Sequence, residues 1–184
     1  MRNIFFYETV IGKIGIIETD NNITDVGFAG DTKNTQTEDI AVNETPLLKE
    51  AGKQLQQYLE GNRRHFDLPL LPAGTEFQKN VWRVLQAIPY GETWSYKKVA
   101  EKAGSPKAAR AVGMANNRNP IAVFIPCHRV IGADGKLVGY GGGLHIKEYL
   151  LNLEKQNKIS TLKFLLIKNT MGLYLKDREI TPKN

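Results

Sequence analysis

A proline-punctuated stretch over residues 67–74 (Asp-Leu-Pro-Leu-Leu-Pro-Ala-Gly) divides the chain into two parts with different patterns. Proline removes a backbone donor and interrupts regular structure, so the stretch predicts a linker. The formal charge changes sign there, from −4 over residues 1–74 to +5 over residues 75–154 and +5 over residues 155–184. We therefore predict domains at 1–74 and 75–155, followed by a C-terminal extension at 156–184.

The first part predicts a small β-sheet and one helix. Residues 3–10, 13–19 and 22–28 are rich in Ile, Val, Phe and Thr, and turn residues separate them. Residues 31–44 are polar without periodicity and predict a loop. Thr45-Pro46 then has the pattern of a helix start, and Gly61 that of a helix end. Between them the apolar side chains recur at helical spacing: Leu47, Leu48, Ala51, Leu55, Tyr58 and Leu59.

The second part predicts short helices. Residues 75–78 (Thr-Glu-Phe-Gln) form a capping box before a helix that carries Phe77, Val81, Trp82, Leu85 and Ile88. A second helix is expected from Ser95 to Lys102, closed by Gly104, and a third from Ser105-Pro106 to about Asn116. Two short helices around a Gly-containing turn are typical of a helix-turn-helix. The whole pattern predicts an α+β fold.

The third of these helices is thin. It is made largely of Ala and Gly, and Arg110 is its one large basic side chain. A recognition helix for the major groove normally carries several base-reading side chains. The small residues favour either approach to a narrow minor groove or close helix packing, and unpaired burial of Arg110 would oppose the latter. The basic second part likewise indicates either a polyanion partner or a solvated basic surface.

Cys127 is the only cysteine, so the chain cannot form an intramolecular disulfide. It follows a strand-like run over residues 121–125 and Pro126. A thiol needs a base to become a good nucleophile, and His128 is adjacent. Neighbours on an extended chain point to opposite faces, so contact requires a turn or a bridging water. The alternative is a small buried cysteine beside an exposed histidine, and Cys-His alone does not decide between them.

The wider pattern around Cys127 is more specific. Residues 75–154 contain an ordered set of motifs: Gly-Thr-Glu-Phe-Gln at 74–78, Val-Trp at 81–82, Ile-Pro-Tyr-Gly at 88–91, Ser-Tyr at 95–96, Arg-Ala-Val-Gly at 110–113, Asn-Pro at 119–120, Pro-Cys-His-Arg-Val at 126–130, Gly-Tyr-Gly-Gly-Gly at 139–143, Lys147, Leu-Leu at 150–151 and Glu154. This set resembles the O6-alkylguanine-DNA alkyltransferases, also called methylated-DNA–protein-cysteine methyltransferases.

The resemblance implies a role for each matching residue. Cys127 would accept the alkyl group, His128 would act as base, commonly through a water, and Glu154 would orient His128. Asn119 would brace the active-site turn, and Tyr96 would hydrogen bond the flipped base and help protonate the leaving guanine. Arg110 would fill the gap in the duplex. The implied DNA contacts are completed by Ala109, Ala111, Gly113, Ser95 and Thr93, and the implied base pocket by Tyr140, Gly141, Val130 and Asn116.

The same resemblance implies the fold and the reaction. It implies a ribonuclease H-like N-terminal domain and a helical, winged-helix-like domain that binds alkylated double-stranded DNA, by way of the minor groove. The product would be a thioether, so each chain would act once, without a cofactor. Transfer from O4-alkylthymine stays open as a second activity. Ala122 and Gly141 stand where some relatives have proline and serine, and would widen the pocket.

Other readings stay open on the sequence. A metal site is disfavoured because His65 and His145, the other histidines, show no ligand spacing. A DNA-binding module would lack the cysteine, a transcription regulator would need a sensor region, and a thiol hydrolase would turn over repeatedly. The N-terminus has no secretory pattern and no apolar run reaches roughly 18 residues, so we expect a cytoplasmic protein without an obligatory protein partner. For the extension we expect a packing role and a short hairpin turning near residues 169–172.

Overall fold

The structure is a computed structural model that describes residues 1–28 and 40–176, with side chains described up to Ser160. Four strands form the N-terminal sheet: β1 (Arg2–Thr9), β2 (Gly12–Thr19), β3 (Asn22–Phe28) and β4 (Ala41–Val42). Their order is β3-β2-β1-β4, with β4 parallel to β1 and the other pairs antiparallel. The three long strands lie within one residue of their predicted bounds. The predicted loop over residues 31–44 is wrong at 41–42, because these residues pair with Asn3 and Ile4; residues 29–39 lie outside the described part.

The turn between β2 and β3 shows why this hairpin forms. Asp20 and Asn21 both have positive φ, at 48° and 59°. Two such residues make the two-residue turn whose twist matches that of the flanking strands, and Asn and Asp tolerate this conformation better than most residues. The pairing of Thr19 with Asn22 follows directly from this turn.

Helix α1 (Pro46–Leu59) packs on the sheet through its apolar stripe. Thr45 caps it by accepting from the Leu48 amide, and Gly61 follows its end with φ of +80°. Both helix ends agree with the sequence prediction. Tyr58, in the last turn, is fully buried and points toward the second part of the chain.

The second part contains α2 (Glu76–Gln86), β5 (Trp94–Ser95), α3 (Tyr96–Lys102), α4 (Ala109–Asn117), a 3₁₀ helix (Cys127–Arg129), β6 (Val130–Ile131) and α5 (Leu144–Lys176). The Thr75–Gln78 capping box is present, and Ser95 caps α3. Helices α2, α3 and α4 pack together, and the Trp82 indole donates to the Ala115 carbonyl at 2.9 Å. The α+β prediction, with a small N-terminal sheet and a helical C-terminal part containing a helix-turn-helix, is confirmed.

Two predictions for this part are wrong: the start of one helix and a hairpin near the C-terminus. Helix α4 begins at Ala109 rather than at Pro106, because Ser105 to Ala108 form a turn in which the Ala108 amide donates to the Ser105 carbonyl. The hairpin near residues 169–172 is also wrong, because α5 continues as helix to Lys176. One Gly costs a helix only about 1 kcal/mol relative to Ala, so Gly172 does not end it.

The two sequence parts share one core. A single cluster of buried side chains includes Ile14 and Leu48 from the first part and Trp82 and Ile125 from the second. Strand β3 joins them through its backbone, since Ile23 bonds to Pro69 and Leu71, and Val26 to Pro120 and Ala122. The middle of the stretch over residues 67–74 therefore pairs with β3, an edge strand of the sheet. The division into domains at residue 74 stays a prediction.

Candidate active site

Two tight turns present Cys127. The Phe124 amide donates to the Ala122 carbonyl at 2.9 Å, which closes a γ-turn at Val123 with φ of +71°. The Cys127 amide donates to the Ile125 carbonyl at 2.8 Å, which closes an inverse γ-turn at Pro126. The predicted strand over residues 121–125 is thus wrong: the run is apolar because it is buried, and it is folded back on itself.

The amide of Asn119 bridges these turns. Its Nδ2 donates to the Ile125 carbonyl at 2.8 Å, and its Oδ1 accepts from the Ile121 amide at 3.1 Å. A left-handed β-branched residue such as Val123 costs on the order of 1–3 kcal/mol and persists only where the surroundings impose it. The Asn119 contacts supply part of that constraint, so this residue lies where the resemblance implies a brace.

Cys127 begins the 3₁₀ helix and is 5% exposed. Burial raises the pKa of its thiol. The Asn119 amide, the positive charge of Lys147 and the amides of Cys127 and His128 act in the opposite direction and lower the pKa. These groups offset the burial only in part, so the pKa of the thiol stays above its ordinary value and the thiolate needs a base to form.

His128 follows Cys127 in the 3₁₀ helix, so the geometry of an extended chain does not apply to the pair. Its Nε2 lies 3.0 Å from Glu154 Oε1, and both side chains are fully buried. Burial lowers the pKa of His128, which favours the neutral ring. Since an ionised Glu154 can only accept, Nε2 carries the proton and Nδ1 keeps its lone pair. Nδ1 is buried and has no hydrogen-bond partner among the described residues.

Glu154 is the centre of a buried hydrogen-bond network. Arg129 donates to it through Nη2 at 2.8 Å and Nε at 3.1 Å, Tyr58 through its hydroxyl at 2.5 Å, and Gly91 through its amide at 2.8 Å. Burial by itself would raise the pKa of Glu154, but the hydrogen bonds and charges of His128 and Arg129 outweigh it and lower the pKa to about 2. Arg129 is permanently charged, so Glu154 stays ionised whether or not His128 is protonated.

Lys147 is a buried cation near the Cys127 thiol. Its Nζ donates to the Val130 carbonyl at 2.6 Å and to the Val138 carbonyl at 2.8 Å. Burial lowers the pKa of Lys147, and the nearby Cys127 raises it. The Lys147 side chain therefore connects the segment after Cys127 to α5, and its positive charge lowers the pKa of the Cys127 thiol.

A cavity of about 840 Å³ opens at Cys127. Among the proposed pocket residues Tyr140, Gly141 and Asn116 line it, as does Ala122, whereas Val130 is buried elsewhere and pairs with Trp94. The Tyr140 hydroxyl and Asn116 Oδ1 are buried without a hydrogen-bond partner among the described residues. Buried polar atoms of this kind are normally paired, so the cavity suits a ligand with complementary polar groups.

Gly142 lies in the Gly-rich loop and packs against Phe28, which lines this cavity. A Cβ atom on Gly142 would lie 2.5 Å from the ring of Phe28, which itself packs edge-on against Tyr140 at 6.0 Å. A side chain at position 142 would require the Phe28 ring or the Gly-rich loop to shift.

Tyr96 begins α3, packs against α4 and lies near Cys127, but it is not among the residues that line the cavity. It is half-buried, and burial together with the negative charge of a Cys127 thiolate raises the pKa of its hydroxyl. A Cβ on Gly113 would lie 3.7 Å from its ring. Ser95 is occupied as the cap of α3, and Thr93 is exposed in the preceding loop.

Helix α4 presents one small-residue surface to solvent. Arg110 and Ala111 are exposed, and Ala109 and Gly113 are partly exposed. Val112, Ala115 and Asn116 form its buried face. The packing alternative therefore holds for Ala115 but not for Ala111 or Arg110, which remain available to a partner.

Two classes of site are not seen in the described part of the chain. No cluster of three or more His, Cys, Asp or Glu side chains could hold a metal ion among these residues. Within the same residues, no helix is both long and apolar enough to cross a membrane.

Comparison with known proteins decides the family. Residues 5–72 match the profile of the 6-O-methylguanine DNA methyltransferase ribonuclease-like domain, and residues 76–156 match that of the DNA-binding domain. The methylated-DNA–protein-cysteine methyltransferase of Methanosarcina acetivorans is 50% identical over 80% of this chain and 95% of its own. The constitutive enzyme of Bacillus subtilis is 47% identical over 80% of this chain and 92% of its own.

The chain belongs to the methylated-DNA–protein-cysteine methyltransferase family. Solved structures agree: the O6-methylguanine methyltransferase of Mycobacterium tuberculosis has a TM-score of 0.80 at 41% identity and covers 85% of this chain and 94% of its own. The structure of that organism's OGT in complex with DNA has a TM-score of 0.78 at 42% identity and covers 84% of this chain and 94% of its own. The predicted family and the ribonuclease-like N-terminal part are confirmed.

Sequence reasoning missed three members of this methyltransferase site. Arg129 belongs to the Pro-Cys-His-Arg-Val motif, but the sequence prediction gives it no role. Its adjacency to His128 is the signal that could have identified it as a site residue. Lys147 also lay in a matched position without a role. Tyr58 was assigned to the apolar stripe of α1, although a buried tyrosine hydroxyl normally has a partner, and this was the signal that could have found it.

Proposed function

We propose that this chain repairs DNA by taking the alkyl group of O6-alkylguanine onto Cys127, once per molecule. The observation that carries the proposal is the position of Cys127, which opens on the cavity and is followed directly by the buried His128–Glu154 pair. Membership of a methylated-DNA–protein-cysteine methyltransferase family supports it.

The arrangement supports the following step. The Cys127 thiol gives its proton to His128 Nδ1 through a water, which would also satisfy this otherwise unpaired atom. The thiolate attacks the alkyl carbon, the carbon–O6 bond breaks, and its electron pair goes to guanine. Tyr96 donates a hydrogen bond to the leaving guanine anion and passes it a proton, and the Tyr96 hydroxyl regains a proton from solvent. The Glu154 carboxylate stabilises the imidazolium that forms, against the opposing positive charge of Arg129.

Base flipping is part of the proposal because the acceptor thiol is buried. A base within the duplex stack cannot reach a thiol that is 5% exposed, so it must be extruded at a cost of a few kcal/mol. Arg110, exposed on the thin helix α4, would occupy the vacated space from the minor groove. The neighbours Ala109, Ala111 and Gly113 would allow close approach of the helix, and Ser95 and Thr93 would contact the flanking backbone.

O4-alkylthymine is the second substrate that we propose. It carries the same alkyl group on an exocyclic oxygen, and Ala122 and Gly141 leave space beside the thiol. The product in either case is a thioether, which is a poor leaving group. Among the described residues no second nucleophile lies at the site to release it, since Cys127 is the only cysteine of the chain.

The test is the stoichiometry of the reaction. With an excess of duplex containing O6-methylguanine, repair should stop at one methyl group per chain, and peptide mass spectrometry should place it on Cys127. Cys127→Ser should lose transfer and still bind DNA. Sustained turnover would indicate a thiol hydrolase, and a methyl group on another residue would contradict the assignment of the acceptor.

A further inference from the structure

Tyr58 is the residue of the N-terminal part that reaches the proposed catalytic pair. It is fully buried in the last turn of α1. Its hydroxyl lies 2.5 Å from Glu154 Oε1 and 3.2 Å from His128 Nε2. Alkyl transfer to Cys127 uses His128 and Glu154, and the Tyr58 hydroxyl contacts both without exchanging a proton in that step.

The direction of each hydrogen bond follows from the charges. Glu154 is ionised and can only accept, so the single proton of the Tyr58 hydroxyl points to it. Burial and the negative charge of Glu154 raise the pKa of Tyr58 well above its ordinary value, so the hydroxyl stays protonated. The oxygen lone pairs of Tyr58 are then free to accept from His128 Nε2. Nε2–H is therefore shared between Glu154 and Tyr58, and both partners hold the proton on the nitrogen remote from the thiol.

The ring of Tyr58 is fixed by neighbouring aromatic rings. Its centroid lies 5.1 Å from that of Phe66 and 6.0 Å from that of Tyr90, the latter edge-on. The guanidinium of Arg129 lies over the Tyr90 ring at 5.7 Å. Removal of the hydroxyl alone would leave these ring contacts in place, so the hydroxyl and the packing can be tested separately.

We propose that Tyr58 is a positioning residue for activation of Cys127, because its hydroxyl orients both the carboxylate of Glu154 and the imidazole of His128 so that Nδ1 serves the thiol. The inference rests on the proposed function for its meaning in repair, though not for its test. It assigns part of the thiol chemistry to the N-terminal ribonuclease-like part of the chain.

The test compares Tyr58→Phe with Tyr7→Phe. Tyr7 is a matched control because its hydroxyl also donates to an oxygen on another element, the Leu48 carbonyl of α1 at 2.6 Å, away from the active site. The first readout is the pH profile of Cys127 alkylation by iodoacetamide, which reports one thiol because the chain has one cysteine. The second is the single-turnover rate with methylated duplex, and the third is the free energy of unfolding.

The pH profile depends on all the charged and titratable groups that face His128. These come from three segments: Tyr58 on α1, Cys127 and Arg129 on the 3₁₀ helix, and Lys147 and Glu154 on α5. Tyr90, after α2, packs against the ring of Tyr58. Phenylalanine changes none of their charges at neutral pH. A difference in the profile would therefore reflect the lost hydroxyl.

We expect Tyr58→Phe to slow alkyl transfer about tenfold, the equivalent of roughly one hydrogen bond to a charged group. Its thiol-alkylation profile should move to higher pH, because a less constrained His128 takes the Cys127 proton less readily. Tyr7→Phe should keep the wild-type profile at a similar loss of stability. An unchanged profile and rate, or a faster reaction at lower pH, would overturn the proposal.

The outcomes also separate this inference from the proposed function. If wild-type protein takes no alkyl group from DNA while Tyr58→Phe still shifts the iodoacetamide profile, the function fails and the positioning role stands. If wild-type protein repairs DNA while both Phe variants behave alike, the positioning role fails and the function stands.

Discussion

At the residue scale, His128 has two ring nitrogens with different surroundings. Nε2 faces Glu154 and Tyr58, whereas Nδ1 is buried without a partner among the described residues. Because Glu154 remains ionised, the proton of the neutral ring belongs on Nε2. The nitrogen that can accept a proton is then Nδ1, which is the one not engaged by the network.

This asymmetry leads to a prediction for His128→Asn. Asparagine keeps a donor for Glu154 but cannot take a proton, so alkyl transfer should fall by roughly 10²- to 10⁴-fold, the usual contribution of a general base. The measurement is the single-turnover rate of methyl transfer, with folding checked by circular dichroism.

His145→Asn is the matched control, since His145 is exposed at the start of α5. It should react at the wild-type rate. A wild-type rate in His128→Asn would show that another group, such as Lys147, accounts for activation of the thiol.

The motif around Cys127 was sufficient to predict Cys127, His128 and Glu154 from the sequence, and the structure brings the last two into contact. Tyr58 could not be placed in the same way. Helical spacing shows that Tyr58 is on the buried stripe of α1, but it does not show what its hydroxyl meets 96 residues later in the chain. Contacts between distant segments depend on tertiary packing, which periodicity does not report.

At the element scale, helix α4 has a buried face and an exposed face with different roles. Its buried face packs against α2 and α3, and its exposed face carries Arg110 among small residues. The helix start was misplaced by three residues because Ser-Pro is a common helix opening, whereas here it begins a separate turn. Arg110 consequently lies in the first turn of α4, where its side chain is exposed.

The prediction for this element compares two substrates. Arg110→Ala should slow repair of methylated duplex far more than reaction with free O6-benzylguanine, because only the duplex requires a flipped base. Both rates should be measured at saturating protein, since loss of a positive charge also weakens DNA binding.

Lys53→Ala provides a control that removes one positive charge from α1, where Lys53 is exposed. It should leave the ratio of the two rates unchanged. If Arg110→Ala lowers both rates equally, Arg110 supports the fold or the thiol, and the assignment of α4 to the DNA groove loses its main residue.

At the scale of the whole molecule, the Glu154 network should control acid stability. The pKa of Glu154 is lowered from 4.5 to about 2 in the folded chain. A lowered carboxylate pKa stabilises the fold fully above the ordinary value, and this stabilisation is lost as the pH falls through the folded value. The pH-dependent part amounts to about 3 kcal/mol, with 1.36 kcal/mol for each pKa unit.

We therefore expect Glu154→Gln to be several kcal/mol less stable than wild type at pH 7, since it leaves Arg129 buried without its counter-charge. The difference should narrow between about pH 4.5 and pH 2, as Glu154 itself becomes protonated. Urea unfolding at a series of pH values measures this. Glu148→Gln, which changes an exposed residue of the same helix, should follow the wild-type curve; a constant difference for Glu154→Gln would contradict the assignment.

The sequence patterns predicted the strand bounds, three helix N-caps and the order of elements, because these depend on local chemistry. They did not predict the folding back of residues 121–125, where an apolar run is read equally well as a strand. The sharing of one core by both parts was also missed. The proline-rich stretch indicates a change of pattern, but only the structure shows that β3 pairs both with this stretch and with residues 120–122.

Without the loop segments that pair with it, strand β3 would be an open edge of the four-stranded sheet. Open edges carry unpaired backbone groups that can recruit strands from other molecules. Here segments that contain Pro69 and Pro120 occupy that edge, so the segment leading to the acceptor turn also shields the protein from self-association. A substitution that weakens the pairing of this segment with β3 should therefore lower the solubility of the protein during storage. This loss should be measurable before any loss of repair activity.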